Sequence, residues 1–363
     1  MSLYVFGSNF MGQLGMPQEV DMTSMPQKLE FFNGKRIVKI SVAKLHTLVL
    51  CEDNALYSWG LNDDYALGRD GEEGFPSLVK FKDNVVDICG GASYSAVLTD
   101  KGHVFGCGTF KSSSGVFGFD QANEFQEGFI RIKSLKKIKK IFPGHNHLIM
   151  IDESKSIWTV GANESGQLGR THRERNVKRC LDPFPVSNKS DKSTNQEFVK
   201  ACGGGFHSMA INELGQCFGW GSNFNGQLGT GNTERSESRQ LVGLENVEDV
   251  RCGYTHTLFL LKDGSLYGCG DNSMSQLGVV GEKMYSSPVF IMRNVDMVRS
   301  GSDFSVAKAG NRLFSWGSNI NGELGVDANE AREINVPREV NFDFGNIVDF
   351  GCGADFTVVW TED

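Results

Sequence analysis

Four histidines stand out among the residues able to do chemistry. His46, His147, His207 and His256 each open an apolar run such as HTLVL, HLIMI or HTLFL. Neutral imidazole is a common metal ligand, so a shared metal site is the first reading. The spacing argues against it. Each histidine sits fourteen residues before a glycine that closes an aromatic frame, and Tyr94 holds the same place before Gly108. Equivalent slots of a repeated unit lie apart in space, so the histidines read as turn caps packed between units. The nine cysteines include no CxxC pair and no tight His/Cys cluster, which argues against a disulfide framework and a zinc site. Cys89, Cys202, Cys252 and Cys352 each precede a glycine, and that recurrence reads as small buried thiols in a reducing compartment. GGGF at 203–206 lacks the following helix and lysine of a phosphate loop. No acid–base pair stands out, so neither covalent catalysis nor a cofactor nor a metal is expected.

The repeat must position everything else. YVFG, YSWG, FGCG, WTVG, FGWG, YGCG and FSWG end at Gly7, Gly60, Gly108, Gly161, Gly221, Gly270 and Gly317. Eight residues after six of these glycines comes a Leu-Gly pair; in the stretch GCGTFKSSSGVFGF the matching Gly118 is ten residues on. Phe304 takes the histidine slot before Gly317, one residue closer. After Phe356 no glycine follows, but seven residues remain to the C-terminus and Gly7 is seven residues past it. Seven and seven restore fourteen, which predicts that the two terminal strands pair and complete a split unit. Short β-branched and aromatic runs such as VVDIC, SYSAVLT and HVFGCG read as strands, and DKG and KDG as hairpin turns. SPVFIM is a candidate fourth strand. Four strands per unit in seven units, closed end to end, predict an all-β, seven-bladed β-propeller, a single domain over 1–363.

The residues preceding each anchor are Leu45, Ser93, Asn146, Phe206, Thr255, Asp303 and Asp355. They occupy one turn type and are expected on one face near the axis, where loops on a rigid scaffold carry function. Asp303 and Asp355 either steer a basic partner or cap their own turns; both readings stand. Trp59, Trp220 and Trp316 are expected to pack between blades. KSLKKIKKI at 133–141 reads either as a nuclear-import patch or as an outer strand with one solvated face. Acids exceed bases by 44 to 36, a net charge of −8, which disfavours broad binding to nucleic-acid phosphates and suits a basic protein partner. No stretch of 18 apolar residues offers a membrane span, and MSLYVFGSNF has no basic or apolar region of a secretory signal.

YSWGLNDDYALGRD, GGASYSAVLTDKGHVFGCGTF and FGWGSNFNGQLGTG resemble repeats of the regulator-of-chromosome-condensation family, and the resemblance runs over essentially the whole chain. It implies a seven-bladed propeller closed by its termini. GTFKSSSGVFGF resembles the founding member's third-blade insertion, a wedge that pushes into the small GTPase Ran. The implied wedge is Phe110, Lys111, Ser112, Ser113, Ser114, Gly115, Val116 and Phe117, with a pliable serine tip and an apolar root of Phe110, Val116 and Phe117. The family's acidic and histidine contacts fall here on Phe10, Ala92, Asn146, Thr255 and Phe356, none of them acidic or histidine. Arg170 matches a family contact arginine. The GTPase-binding face is therefore expected to comprise Asn146, Arg170, Thr255, Asp303 and Asp355. A nucleosome-binding loop aligns with 186–196 and offers Lys189 and Lys192 in place of arginines, a poorer match to planar acidic recognition. The founding member's basic N-terminal tail has no counterpart. The resemblance implies a guanine nucleotide exchange factor for Ran, monomeric and nuclear, with histones or nucleosomes as further partners and no small-molecule substrate; a cytoplasmic pool is compatible with it. The alternative is a propeller scaffold that has lost exchange activity.

Overall fold

The computed structural model describes residues 1–133, 137–170, 174–186 and 196–362. Among them lie seven four-stranded antiparallel sheets and one additional two-stranded hairpin. Among the described residues, helix is confined to two 3-10 segments, Glu30–Phe32 and Glu174–Leu181. The sheets are the blades of a seven-bladed β-propeller. Blade 1 joins 346–362 to 2–28, and blades 2 to 7 span 37–79, 85–131, 138–185, 198–241, 247–292 and 297–339. SPVFIM lies in the fourth strand of blade 6, Met284–Met292.

The second strand of each blade shows why the chain folds this way. His46–Cys51, Tyr94–Thr99, His147–Asp152 and His207–Asn212 are buried at every position. A sheet packed on both faces needs such continuous apolar runs in place of alternation. Ring closure follows the predicted arithmetic. Gly7 pairs with Phe356 and Ser2 with Thr361, as His46 pairs with Gly60 and His207 with Gly221 within single blades. The N-terminal strand thus supplies the third strand of a blade begun by the C-terminus.

The histidines bind neighbouring blades. His46, His147, His207 and His256 place Nε2 2.8, 2.8, 2.9 and 3.1 Å from the hydroxyls of Ser95, Ser208, Thr257 and Ser305 in the next blade. Those hydroxyls in turn donate to the carbonyls of Ala66, Gln167, Gln227 and Gln276. Trp59, Trp220 and Trp316 donate from Nε1 to the Gln13, Gln167 and Gln276 carbonyls of the preceding blades, as inter-blade packing requires. Burial pushes His46 down to about 4 and the other three to about 3, so all four are neutral at physiological pH.

The first strands line an axial channel of about 510 Å³. A bulge recurs in six of them, and a charged residue follows each bulge except in blade 7, which has none. Lys39 pairs with Asp87 and Arg299 with Asp349 between neighbouring blades of the channel wall, and Arg251 pairs with Asp249 along one strand of it. Of KSLKKIKKI, residues 134–136 lie outside the described set. Its strand, Ile138–Pro143, is an innermost strand and not an outer one, so Lys140 lines the channel and donates to the Val199 carbonyl at 2.8 Å. A closed circuit of backbone bonds rims one channel mouth: Lys44 to Gly91, Ala92 to His145, His145 to Gly204, Gly205 to Tyr254, Tyr254 to Ser302, Ser302 to Ala354 and Ala354 back to Lys44.

Candidate functional site

The turns after the frame glycines all leave the ring on the side of that rim. The residue before each anchor offers its carbonyl to the residue after the frame glycine, as in Leu61 to Leu45, Ala162 to Asn146, Ser318 to Asp303 and Ser8 to Asp355. Leu45, Ser93, Asn146, Phe206, Thr255, Asp303 and Asp355 therefore share one turn geometry and one face.

Six of the turns are built from the same internal bonds. An asparagine two residues past the frame glycine accepts from the leucine of Leu-Gly: Asn9 from Leu14, Asn62 from Leu67, Asn163 from Leu168, Asn223 from Leu228, Asn272 from Leu277 and Asn319 from Leu324. In most of them a glutamine just before the leucine also accepts a main-chain N–H, as Gln227 does from Asn225 at 2.9 Å. A short amide side chain thus organises a tight turn that would otherwise strand its backbone donors. Blade 3 has Phe110 where the asparagine belongs. Phe110 has no acceptor and packs inward, 4.8 Å from the Tyr94 ring and stacked at 6.2 Å on Phe119. The chain leaves as a hairpin, Phe110–Ser112 against Gly115–Gly118, with Ser113 and Ser114 at its tip. Gly115, at φ 110°, adopts a conformation that strains other residues.

Neighbouring blades hold the hairpin. Lys111 Nζ lies 2.5 Å from Asp64 of blade 2, and its N–H donates to Asn146 Oδ1 of blade 4 at 3.3 Å. Glu164 of blade 4 accepts from Ser113 twice, from N–H at 2.8 Å and from Oγ at 2.6 Å. The tip is a braced projection, not the pliable loop its serines suggest. The root also differs from expectation. Phe110 is buried and Phe117 packs against the same core, but Val116 is 42% exposed on the hairpin flank.

Across the mouth, blades 6, 7 and 1 present carboxylates. Asp303 faces Asp271, and burial, then that neighbour, raises its proton affinity. Asp355 is raised chiefly by burial, although Gln13 and Asn321 donate to it at 3.4 Å each. Gln13 belongs to the same blade and Asn321 to blade 7, so the carboxylate ties its own blade to the preceding one. Thr255 donates to Asp271 at 3.3 Å. Phe10, Phe224 and Ile320, each one residue past a turn asparagine, are 61%, 70% and 53% exposed on the same face. Phe10 was legible only as a mismatch to the family pattern. The position that exposes it becomes evident once the turns are superposed. Of the other mismatched positions, Phe356 is fully buried and Ala92 belongs to the rim circuit.

Arg170 has an internal task. Its guanidinium donates to the carbonyls of Cys180 and Asp182 at 3.0 and 2.9 Å and lies over the Phe184 ring. It braces the segment after the turn. Lys189 and Lys192 lie outside the described residues. Sequence reading also missed Asp64 and Glu164, which look like ordinary turn residues until the hairpin is folded beside them.

The described residues thus form a closed seven-bladed ring in which one turn has become a braced hairpin. Residues 2–359 match the RCC1-like domain, and the chain belongs to that family. It is 30% identical to the human regulator of chromosome condensation over 89% of this chain and 82% of that one. It is 25% identical to the guanine nucleotide exchange factor SRM1 of Saccharomyces cerevisiae, covering 99% of this chain and 86% of that one. The crystal structure of Prp20p from S. cerevisiae, described with its binding to Gsp1p and histones, superposes with a TM-score of 0.90 at 26% identity, covering 99% and 90% of the two chains.

Proposed function

We propose that this protein is a guanine nucleotide exchange factor for the small GTPase Ran, with the hairpin at 110–117 as its wedge. The observation that carries the reading is the replacement of one turn in seven by a projection that the two adjacent blades hold in place. A GTPase retains its nucleotide through a phosphate-binding loop and Mg²⁺. A propeller that binds the nucleotide-free form more tightly must, by linkage, weaken nucleotide binding by the same factor. Accelerating release about 10⁵-fold requires roughly 7 kcal/mol of barrier lowering. A braced tip can transmit that as displacement of the phosphate loop, because a functional element held by its neighbours loses little energy to its own movement. Asn146 touches the wedge, and Thr255, Asp303 and Asp355 lie across the mouth from it. The carboxylates would steer a basic partner surface, and Phe10, Phe224 and Ile320 would supply apolar contact.

The names and descriptions of the relatives, an exchange factor among them and one that binds Gsp1p and histones, support a nuclear, chromatin-associated role, with 186–196 as the histone-facing loop. The absence of the family's acids at Phe10, Asn146 and Thr255 favours the second reading, a scaffold without exchange activity. Release of a fluorescent guanine nucleotide from Ran decides between them. Acceleration by catalytic amounts of the protein is the expected result. Binding to Ran without acceleration would replace the exchange reading with the scaffold.

A further inference from the structure

The channel wall holds a pair of groups that nucleotide exchange does not use. In two of the seams, the side chain five residues before one anchor meets the residue four before the next. In the seam of blades 2 and 3 this contact joins Ser41 and Gly90, with the Ser41 hydroxyl 3.1 Å from the Gly90 nitrogen. In the seam of blades 5 and 6 it joins two cysteines. Cys252 N–H donates to Cys202 Sγ at 3.2 Å, and Cys252 Sγ donates to the Cys202 carbonyl at 3.7 Å. Both are half-buried and line the channel, whereas the other seven cysteines are buried.

We propose that Cys202 and Cys252 form a peroxide-responsive dithiol that closes to a disulfide across this seam. Cys252 as donor, with Arg251 nearby, holds the Cys202 thiol below its ordinary value, and burial pushes Cys252 up. Cys202 is accordingly the attacking thiolate and Cys252 the resolving thiol. Cys202 sulfur attacks a peroxide oxygen, the O–O bond breaks, and the leaving oxygen departs as water after taking up a proton. The resulting sulfenic acid is attacked by Cys252 sulfur; the S–O bond breaks, the S–S bond forms and a second water leaves with the Cys252 proton. One peroxide is reduced by two electrons and each sulfur is oxidised by one. The closed bond would staple two blades beneath Phe206 and Tyr254, whose rings lie 5.6 Å apart at the mouth.

The test is titration of the full chain with hydrogen peroxide, followed by alkylation of remaining thiols and peptide mapping. The expected product is a linked 202–252 peptide, about 2 Da lighter than the dithiol, at doses that leave the seven buried thiols alkylatable. It should raise Tm by a few degrees, reversibly on reduction, since the bond closes a loop whose ends are 50 residues apart. C252S should trap a dimedone-reactive sulfenic acid at Cys202, and C202S should slow peroxide consumption at least tenfold. Serine already fills the equivalent place at Ser41, so C202S should fold, and its unshifted melting curve is the control. Absence of the linked peptide, oxidation spread over all nine thiols, or undiminished oxidation of Cys252 in C202S would each overturn the proposal.

Discussion

The turns after Gly108 and Gly221 start from the same frame and end differently. After Gly221, Asn223 accepts from Leu228 at 2.9 Å and donates to the Asn232 carbonyl at 2.9 Å, and the chain closes in a tight loop. After Gly108, Phe110 fills the space with a buried ring, and the backbone donors of the next residues must find partners elsewhere. They find them in a hairpin ladder and in Asn146 and Glu164. An amide-to-aromatic change together with two extra residues thus separates a structural turn from a projecting one. The projection's stiffness comes from its neighbours and not from its own sequence.

The contrast can be broken at the wedge first. Replacing Ser112–Gly115 by Asn-Gly shortens the hairpin by one pair while leaving Phe110 in the core. Nucleotide release from Ran should slow by about a hundredfold or more, close to 3 kcal/mol, with Tm nearly unchanged. An unaltered release rate would make the hairpin a bystander.

The anchor slot offers the next test, since blade 3 has Tyr94 where its neighbours have histidine. Each buried histidine has a folded pKa below its unfolded value of about 6.5. The unfolded chain therefore binds more protons as pH falls through that value, and stability drops from pH 6.5 toward the folded values of about 3 to 4. Each imidazole should account for about 2 kcal/mol of loss at pH 5. His147→Tyr should remove one share, which denaturant melts at pH 7 and pH 5 would measure.

Asn223→Ala should cost roughly 1–2 kcal/mol in the same melts by leaving the Leu228 N–H without its acceptor. Glu164→Ala should loosen the wedge tip and slow exchange several-fold, with binding to Ran, measured by calorimetry, less affected. Asp303→Asn has the smallest effect. Its carboxyl is raised by burial and Asp271, so the charged form opposes folding above that raised value. The amide should lift Tm slightly at pH 7, while stopped-flow association with Ran slows at low salt.

The repeat period, the propeller, the terminal closure and the identity of the exceptional turn were all legible in the sequence. Each depends on local spacing, and a fourteen-residue interval is the same whether counted within a blade or across the chain ends. The packing roles of His46 and Trp59 were legible for the same reason, because equivalent slots recur. Which groups meet across the seams was decided only by the ring. Asp64, Asn146 and Glu164 converge on Lys111 and Ser113 from two other blades; Arg170 turns inward to the Cys180 and Asp182 carbonyls; and Cys202 meets Cys252 from the next blade. Such contacts depend on the angle between successive sheets, which the packing of whole blades sets and no single stretch of sequence carries.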